Sequence, residues 1–277
     1  MPYTTTRDGT RLRYDDWGDG RPVVLLGTAM MDHRMWEFQA GFLAEHGLRC
    51  VSYDRRGCGA SDTPWQGYDY DTLADDLADL LDHLDLRDVL LVGYAVGGGE
   101  AVRYLSRHGG EGRVGKLALV ASTTPFLLRT EDNPDGLDIA LFDEMAQAIR
   151  HDRAQWLGQL SGPFFGGPGG DPAQLPISAE LADWLVRTAL DTSPRAGVEI
   201  YRTLFTTDQR AETAAVTVPT LIIHGAADLG APYALCAPRT HDLIKGSELI
   251  TYEGAAHGLF ATHADRLNED LLTFAKS

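Results

Sequence analysis

Three short segments of the chain carry residues whose types and spacing suit acyl-transfer or acid–base chemistry. The first, Val92-Gly-Tyr-Ala-Val-Gly-Gly98, joins an apolar run to an Ala/Gly-rich helical stretch. A strand that turns sharply into a helix, with glycine two residues to either side of the central position, exposes a nucleophile; the usual pattern is G-x-S-x-G. Gly93 and Gly97 keep that spacing, and Ala95 takes the serine's place. The helix N-terminus at such a turn offers backbone N–H groups to an anion. A methyl group can neither attack a carbonyl nor be deprotonated, so the first segment holds the frame of a nucleophilic site without its oxygen.

The other two segments supply an acid and a base. Thr220-Leu-Ile-Ile-His-Gly-Ala-Ala-Asp228 places Asp228 on the loop leaving an apolar strand, and Tyr252-Glu-Gly-Ala-Ala-His257-Gly places His257 on the loop leaving the next. Loops from adjacent parallel strands emerge side by side, so the carboxylate can fix the imidazole tautomer and leave the other ring nitrogen free as a base. His224 is expected to cap its strand end, and His33 to lie at the surface. Cys58, Ser61, Ser122 and Thr28 are conceivable substitute nucleophiles, each with a structural role available. No metal-ligand spacing is present, and neither a metal nor a cofactor is expected.

Several elements must position these groups. The opening reads as a hairpin, Tyr3–Arg7 and Arg11–Trp17, turning at Asp8-Gly9. Strands follow at 21–27, 48–53, 89–93, 114–121, 220–224 and 248–252, alternating with helices over 36–46 and 72–84, after Pro232, and from about Thr262. In the 72–84 helix, Leu73, Leu77, Leu80, Leu81 and Leu84 recur at helical spacing, with Asp75, Asp76, Asp79 and Asp82 expected on the wet side. Such alternation predicts an α/β class with a mostly parallel sheet covered on both faces. From about 123 to 216 the alternation breaks into helices near 137–151, 178–190 and 194–205, plus a Gly/Pro-rich loop over 162–170. This reads as a helical insertion over the strands' C-terminal edge, within a single domain spanning 1–277.

Composition narrows the function classes. With 277 residues, 44% of them hydrophobic, the chain can bury one large core. Twenty-four basic against 40 acidic residues leave a net charge of −16, which repels nucleic acid and anionic membranes. No apolar run is long enough to span a bilayer, and no secretory leader is visible. The three cysteines, Cys50, Cys58 and Cys236, fit neither a disulfide framework nor a zinc site, so a reduced cytoplasmic setting is expected. A small-molecule substrate is the expected partner; self-association is left open.

On these residues the chain resembles the α/β-hydrolase superfamily, and within it the bacterial non-haem haloperoxidases and esterases; it is also similar to 3-oxoadipate enol-lactonases. Asp54-Arg-Arg-Gly-Cys-Gly-Ala-Ser-Asp62 matches the D-x-R-G-x-G-x-S-D loop of that group, and Gly97-Gly-Gly-Glu100 its elbow. Leu26-Gly-Thr-Ala29 and Asp32-His-Arg-Met-Trp36 resemble the enol-lactonase oxyanion loop, with Gly27-Thr28 in register with the widespread H-G dipeptide. The resemblance implies an α/β-hydrolase fold with an eight-stranded sheet, a helical cap at about 123–216, and no cofactor. It also implies catalytic positions at Ala95, Asp228 and His257, with an oxyanion hole from the backbone N–H groups of Ala29 and Val96. Met30, Met31, Tyr94, Phe126, Trp156, Phe164, Phe165 and Trp184 are candidate substrate contacts for a small apolar or aromatic ester or carbonyl compound. Ala95 departs from the pattern and leaves three readings: an esterase or lactonase whose serine has been replaced, a non-hydrolytic enzyme using His257 as base, or a ligand-binding protein.

Overall fold

The computed structural model describes residues 2–277. Eight strands form one sheet: β1 (Tyr3–Thr5), β2 (Arg11–Trp17), β3 (Arg21–Leu26), β4 (Leu48–Tyr53), β5 (Val89–Tyr94), β6 (Val114–Val120), β7 (Thr220–Gly225) and β8 (Glu248–Tyr252), in the order β1-β2-β4-β3-β5-β6-β7-β8. The first two pairings, β1 with β2 and β2 with β4, are antiparallel. From β4 onward every pairing is parallel, the geometry that crossover helices impose.

Side chains alternate across the central strands and sort the core into two layers. Val23, Leu25 and Val92 face α1 (Glu37–Glu45), while Val24, Leu26 and Leu91 face α2 (Tyr70–His83) and α3 (Val96–His108). Between β6 and β7 lie α4 (Ile139–Gly166), α5 (Ala179–Leu190), α6 (Pro194–Thr206) and the short α7 (Arg210–Ala214); α8 (Ala237–Leu243), α9 (Leu259–Thr262) and α10 (Ala264–Lys276) complete the chain. No helix among the described residues is long and apolar enough to cross a membrane.

Two expectations need correction. The 162–170 segment is not all loop: α4 runs through Pro163, Phe164 and Phe165 to Gly166. It is broken instead at Asp152, whose backbone leaves the helical region (φ −150, ψ 86) and whose carboxylate accepts from the Gln155 N–H at 2.9 Å, restarting the helix. Burying Phe165 in the main core overrides the low helical preference of the glycines and proline around it. The second correction is Asp76, which is buried and paired with Arg56 at 2.5 and 2.6 Å.

A second buried ion pair braces the strand ends. Arg55 meets Glu100 at 2.7 Å and donates to the carbonyls of Gly27 (3.0 Å) and Thr28 (3.3 Å). Glu100 also accepts from the Tyr53 hydroxyl. One guanidinium thus joins the loop after β4, the loop after β3 and the N-terminal half of α3. Removing one partner of such a pair leaves an uncompensated buried charge. Arg55→Met should therefore lower stability by about 3–5 kcal/mol in urea unfolding, and adding Glu100→Gln should recover part of that loss.

Candidate functional site

The turn between β5 and α3 is built around Ala95. Its backbone sits at φ 50, ψ −114, where residues with a Cβ are rarely found and which costs about 1–3 kcal/mol. Main-chain bonds hold it there: its N–H donates to Val120 at 3.1 Å, and its carbonyl accepts from Gly98 at 3.0 Å. The glycine spacing has a steric cause. A Cβ at Gly97 would come within 2.5 Å of the Leu26 carbonyl oxygen, and one at Gly93 within 2.5 Å of the Gly97 oxygen. Only hydrogen fits at either position.

Asp228 and His257 meet as the topology requires, with His257 Nδ1 2.8 Å from Asp228 Oδ2. The other carboxylate oxygen accepts the Ala231 N–H at 2.8 Å. His224 lies closer to this pair than a strand cap would: its Nε2 donates to the Ala231 carbonyl at 2.8 Å and stands 3.3 Å from Asp228 Oδ2. Burial alone would raise the Asp228 pKa. The charge of His257 and hydrogen bonds from His224 and His257 outweigh it and hold the carboxyl well below its usual range.

Three contacts fix the imidazole. The Tyr94 hydroxyl donates to the His257 carbonyl, and its ring meets the imidazole edge-on at 5.7 Å. Phe164 packs on the imidazole at 5.1 Å, and the Gly258 N–H donates to the Phe164 carbonyl at 2.6 Å. The end of α4 is thereby tied to the loop that carries the histidine.

Ala95 and His257 border the same cavity of ≈ 240 Å³, together with Thr28, Ala29, Thr123, Trp156, Phe164 and a largely aliphatic remainder. A smaller niche of ≈ 30 Å³ shares Ala29, Leu160, Phe164 and Tyr201 with it. The Ala29 N–H has no protein acceptor among the described residues. Val96 opens α3, where an amide has no acceptor within its own helix. An electron-rich oxygen at Ala95 would thus find backbone donors from two elements. Such an arrangement can stabilise an oxyanion and can move a proton through His257.

The candidate contacts divide. Trp156 and Phe164 border the cavity; Met30, Met31 and Phe165 border only the niche. Tyr94 does not reach ligand space, because it is fully buried beneath His257. Phe126 belongs to a separate hollow under Arg210, whose guanidinium lies 5.2 Å from its ring centre. Trp184 lines another hollow with Trp17 and His33, since its face of α5 turns toward β2 rather than the cavity. Tyr201, Leu204, Phe205 and Leu229 line the cavity and were not anticipated; helical spacing in 194–205 marks a buried face but not what it faces.

Of the substitute nucleophiles, only Thr28 borders the cavity. Cys58 is sealed, and burial pushes its thiol up to about 11. The hydroxyl of Ser61 donates to the Asp54 carbonyl at 2.6 Å, and that of Ser122 bonds with Thr124 at 2.9 Å. His33 lies half-buried 2.6 Å from Asp54, away from the cavity. Asp32, His33 and Asp54 bring one ligand atom each within 4.8 Å of one another. Their oxygens are already engaged by Arg34, His33 and the Ala60 N–H.

Comparison with known proteins gives a consistent picture. Residues 21–264 match the family described as alpha/beta hydrolase fold. A non-heme haloperoxidase of Rhodococcus erythropolis is 39% identical over 280 residues, covering 100% of both chains. The crystal structure of a bromoperoxidase from Bacillus anthracis superposes with a TM-score of 0.94 at 36% identity, covering 100% of this chain and 99% of that one. An esterase from Exiguobacterium antarcticum gives 0.93 at 32% identity, covering 99% of each.

The depressed Asp228 pKa has a consequence for stability. The native carboxyl takes up its proton at lower pH than the unfolded chain, whose value is near 3.8. Its contribution is present in full above that value and is lost as the pH falls toward the native pKa. Asp228→Asn should cost about 2 kcal/mol at pH 7, the worth of hydrogen bonds to a charged group. Urea unfolding of both proteins at pH 7, 5 and 3 should show the gap constant over the first two and smaller at the third.

Proposed function

Because the chain belongs to the alpha/beta hydrolase fold family, we propose that its cavity is an acyl-transfer site of the esterase and lactonase kind, with Ala95 standing where serine would attack. One observation carries this reading: the Asp228–His257 pair, bonded at 2.8 Å, opens on the same cavity as the residue at the strained turn. The substrate class is a small ester or related carbonyl compound with an apolar or aromatic body, as the lining favours.

The roles follow from chemistry. With a serine at position 95, His257 Nε2 takes the Oγ proton while Oγ bonds to the carbonyl carbon. The amides of Ala29 and Val96 receive the oxyanion, each such donor being worth about 3 kcal/mol in the transition state. The bond to the leaving alcohol then breaks, His257 returns the proton to it, and water repeats the sequence to release the acid. With alanine there is neither proton to take nor oxygen to attack, so this chain holds its substrate without forming an acyl-enzyme.

A second reading is favoured by the position of the imidazole, which borders the cavity beside Ala95. With no hydroxyl between, His257 can take a proton directly from a C–H or O–H acid while the same amides hold the resulting enolate. That is the chemistry of a lyase, cyclase, isomerase or cofactor-free oxygenase.

Ala95→Ser separates the two. Loss of a triad serine costs roughly 10⁶-fold in turnover, so its return should raise hydrolysis of p-nitrophenyl acetate and butyrate by at least about 10³-fold. His257→Ala on top should remove the gain. A well-folded Ala95→Ser protein that stays within a few-fold of its parent on esters of several sizes would reject the first reading in favour of the second.

A further inference from the structure

The helical insertion covers the cavity almost wholly with hydrocarbon, through Met145, Leu160, Leu204 and Phe205 among others. Apart from Thr123, whose hydroxyl donates to the Ala95 carbonyl at 3.4 Å, two of its side chains break that pattern: Trp156 on α4 and Tyr201 on α6, whose rings meet edge to face at 6.0 Å and 87°. Tyr201 also borders the niche, so its ring stands in the wall between the two spaces.

The Tyr201 hydroxyl is the unusual feature. Tyr53, Tyr68, Tyr94 and Tyr252 each donate to a protein oxygen. Tyr201 has no such partner among the described residues, and unlike the hydroxyls of Tyr70 and Tyr104 its oxygen is not sealed from accessible space. Burial pushes its pKa up to about 12, so at neutral pH it is an uncharged donor. Ser161, the other hydroxyl beside the niche, already donates to the Gly158 carbonyl at 2.6 Å. A phenylalanine would pack on Trp156 equally well with no polar atom to satisfy. The Tyr201 hydroxyl is thus a donor in an otherwise hydrocarbon wall that an acceptor entering the cavity can engage.

We infer that the cavity takes carbonyl compounds whose aryl-sized apolar portion carries a second, hydrogen-bond-accepting oxygen, of ether or ketone type, received by the Tyr201 hydroxyl. Size agrees: a dry cavity of roughly 150 Å³ holds a benzene, so ≈ 240 Å³ takes a substituted ring. The inference rests on the acyl-transfer reading for where the carbonyl sits. It concerns binding, which the Ala95 chain should perform without turnover.

Calorimetric titration of the protein as it stands tests this with pairs of methyl arylacetates that differ only in a methoxy or an ethyl group, at the ortho, meta or para position. At least one methoxy ester should bind about tenfold more tightly than its ethyl twin, the worth of one added hydrogen bond. Tyr201→Phe should bring that ratio to about one. A ratio near one at all three positions, a preference that survives Tyr201→Phe, or no binding of any pair would overturn the inference. A parent ratio near one overturns the inference even where the variant folds poorly. Because these are affinities of the Ala95 protein, they are independent of whether Ala95→Ser hydrolyses esters, and either idea can fail alone.

Discussion

The constraint on which the rest of this structure depends is the close approach of α3 to the strand ends at Ala95. The helix starts so near the sheet that a methyl group at Gly97 would collide with the Leu26 carbonyl of β3. Such an approach forces the residue between β5 and α3 into the left-handed half of backbone space, at φ 50. Two results follow from that one distortion. The Cβ of residue 95 faces the cavity, and the amide that follows it is left without an acceptor. A strain of about 1–3 kcal/mol persists only where the surroundings over-determine it. Here the Arg55–Glu100 pair does so, tying the N-terminal half of α3 to the same loop that brings Ala29 to the cavity.

The acid–base half is held by a different logic. Asp228 is buried, and three groups satisfy it: the Ala231 amide, His224 and His257. His257 in turn is framed by Tyr94 from the core below and Phe164 from α4. The Gly258–Phe164 main-chain bond makes the insertion part of the histidine's support and not merely a lid. A shift of α4 large enough to admit a ligand beside Phe164 must bend that link or move the imidazole with it. Substrate size and the position of the base are therefore coupled through a single short bond.

How much of this was legible in the sequence varies by physical kind. The elbow, Asp228 and His257 could be placed because strand order and glycine spacing dictate them locally, and the structure brings them together. Asp76 could not: on helical spacing it belongs with Asp75 and Asp79, and only the arrival of Arg56 from a distant loop makes its burial tolerable. Phe126 and Trp184 show the same limit, since aromatic content in an insertion says that something is packed but not which hollow is filled. A lone tyrosine in an amphipathic helix looks like core; what distinguishes Tyr201 from the sealed, unpartnered Tyr70 and Tyr104 is its place in the cavity wall, which no spacing records.

A division of labour within the site explains why an alanine can stand at its centre without disturbing the rest. The amides of Ala29 and Val96 belong to the main chain, so they survive any change of side chain that keeps the turn. The apolar lining comes mostly from the insertion, which meets the elbow backbone through Thr123, whose N–H and hydroxyl both donate to the Ala95 carbonyl at 3.4 Å. The −16 net charge is carried elsewhere: among the described residues no carboxylate lines the cavity, and Asp228 sits behind His257. Only the attacking atom depends on the Cβ substituent of residue 95. A change of that substituent leaves the Asp228–His257 pair, the two amides and the cavity lining in place.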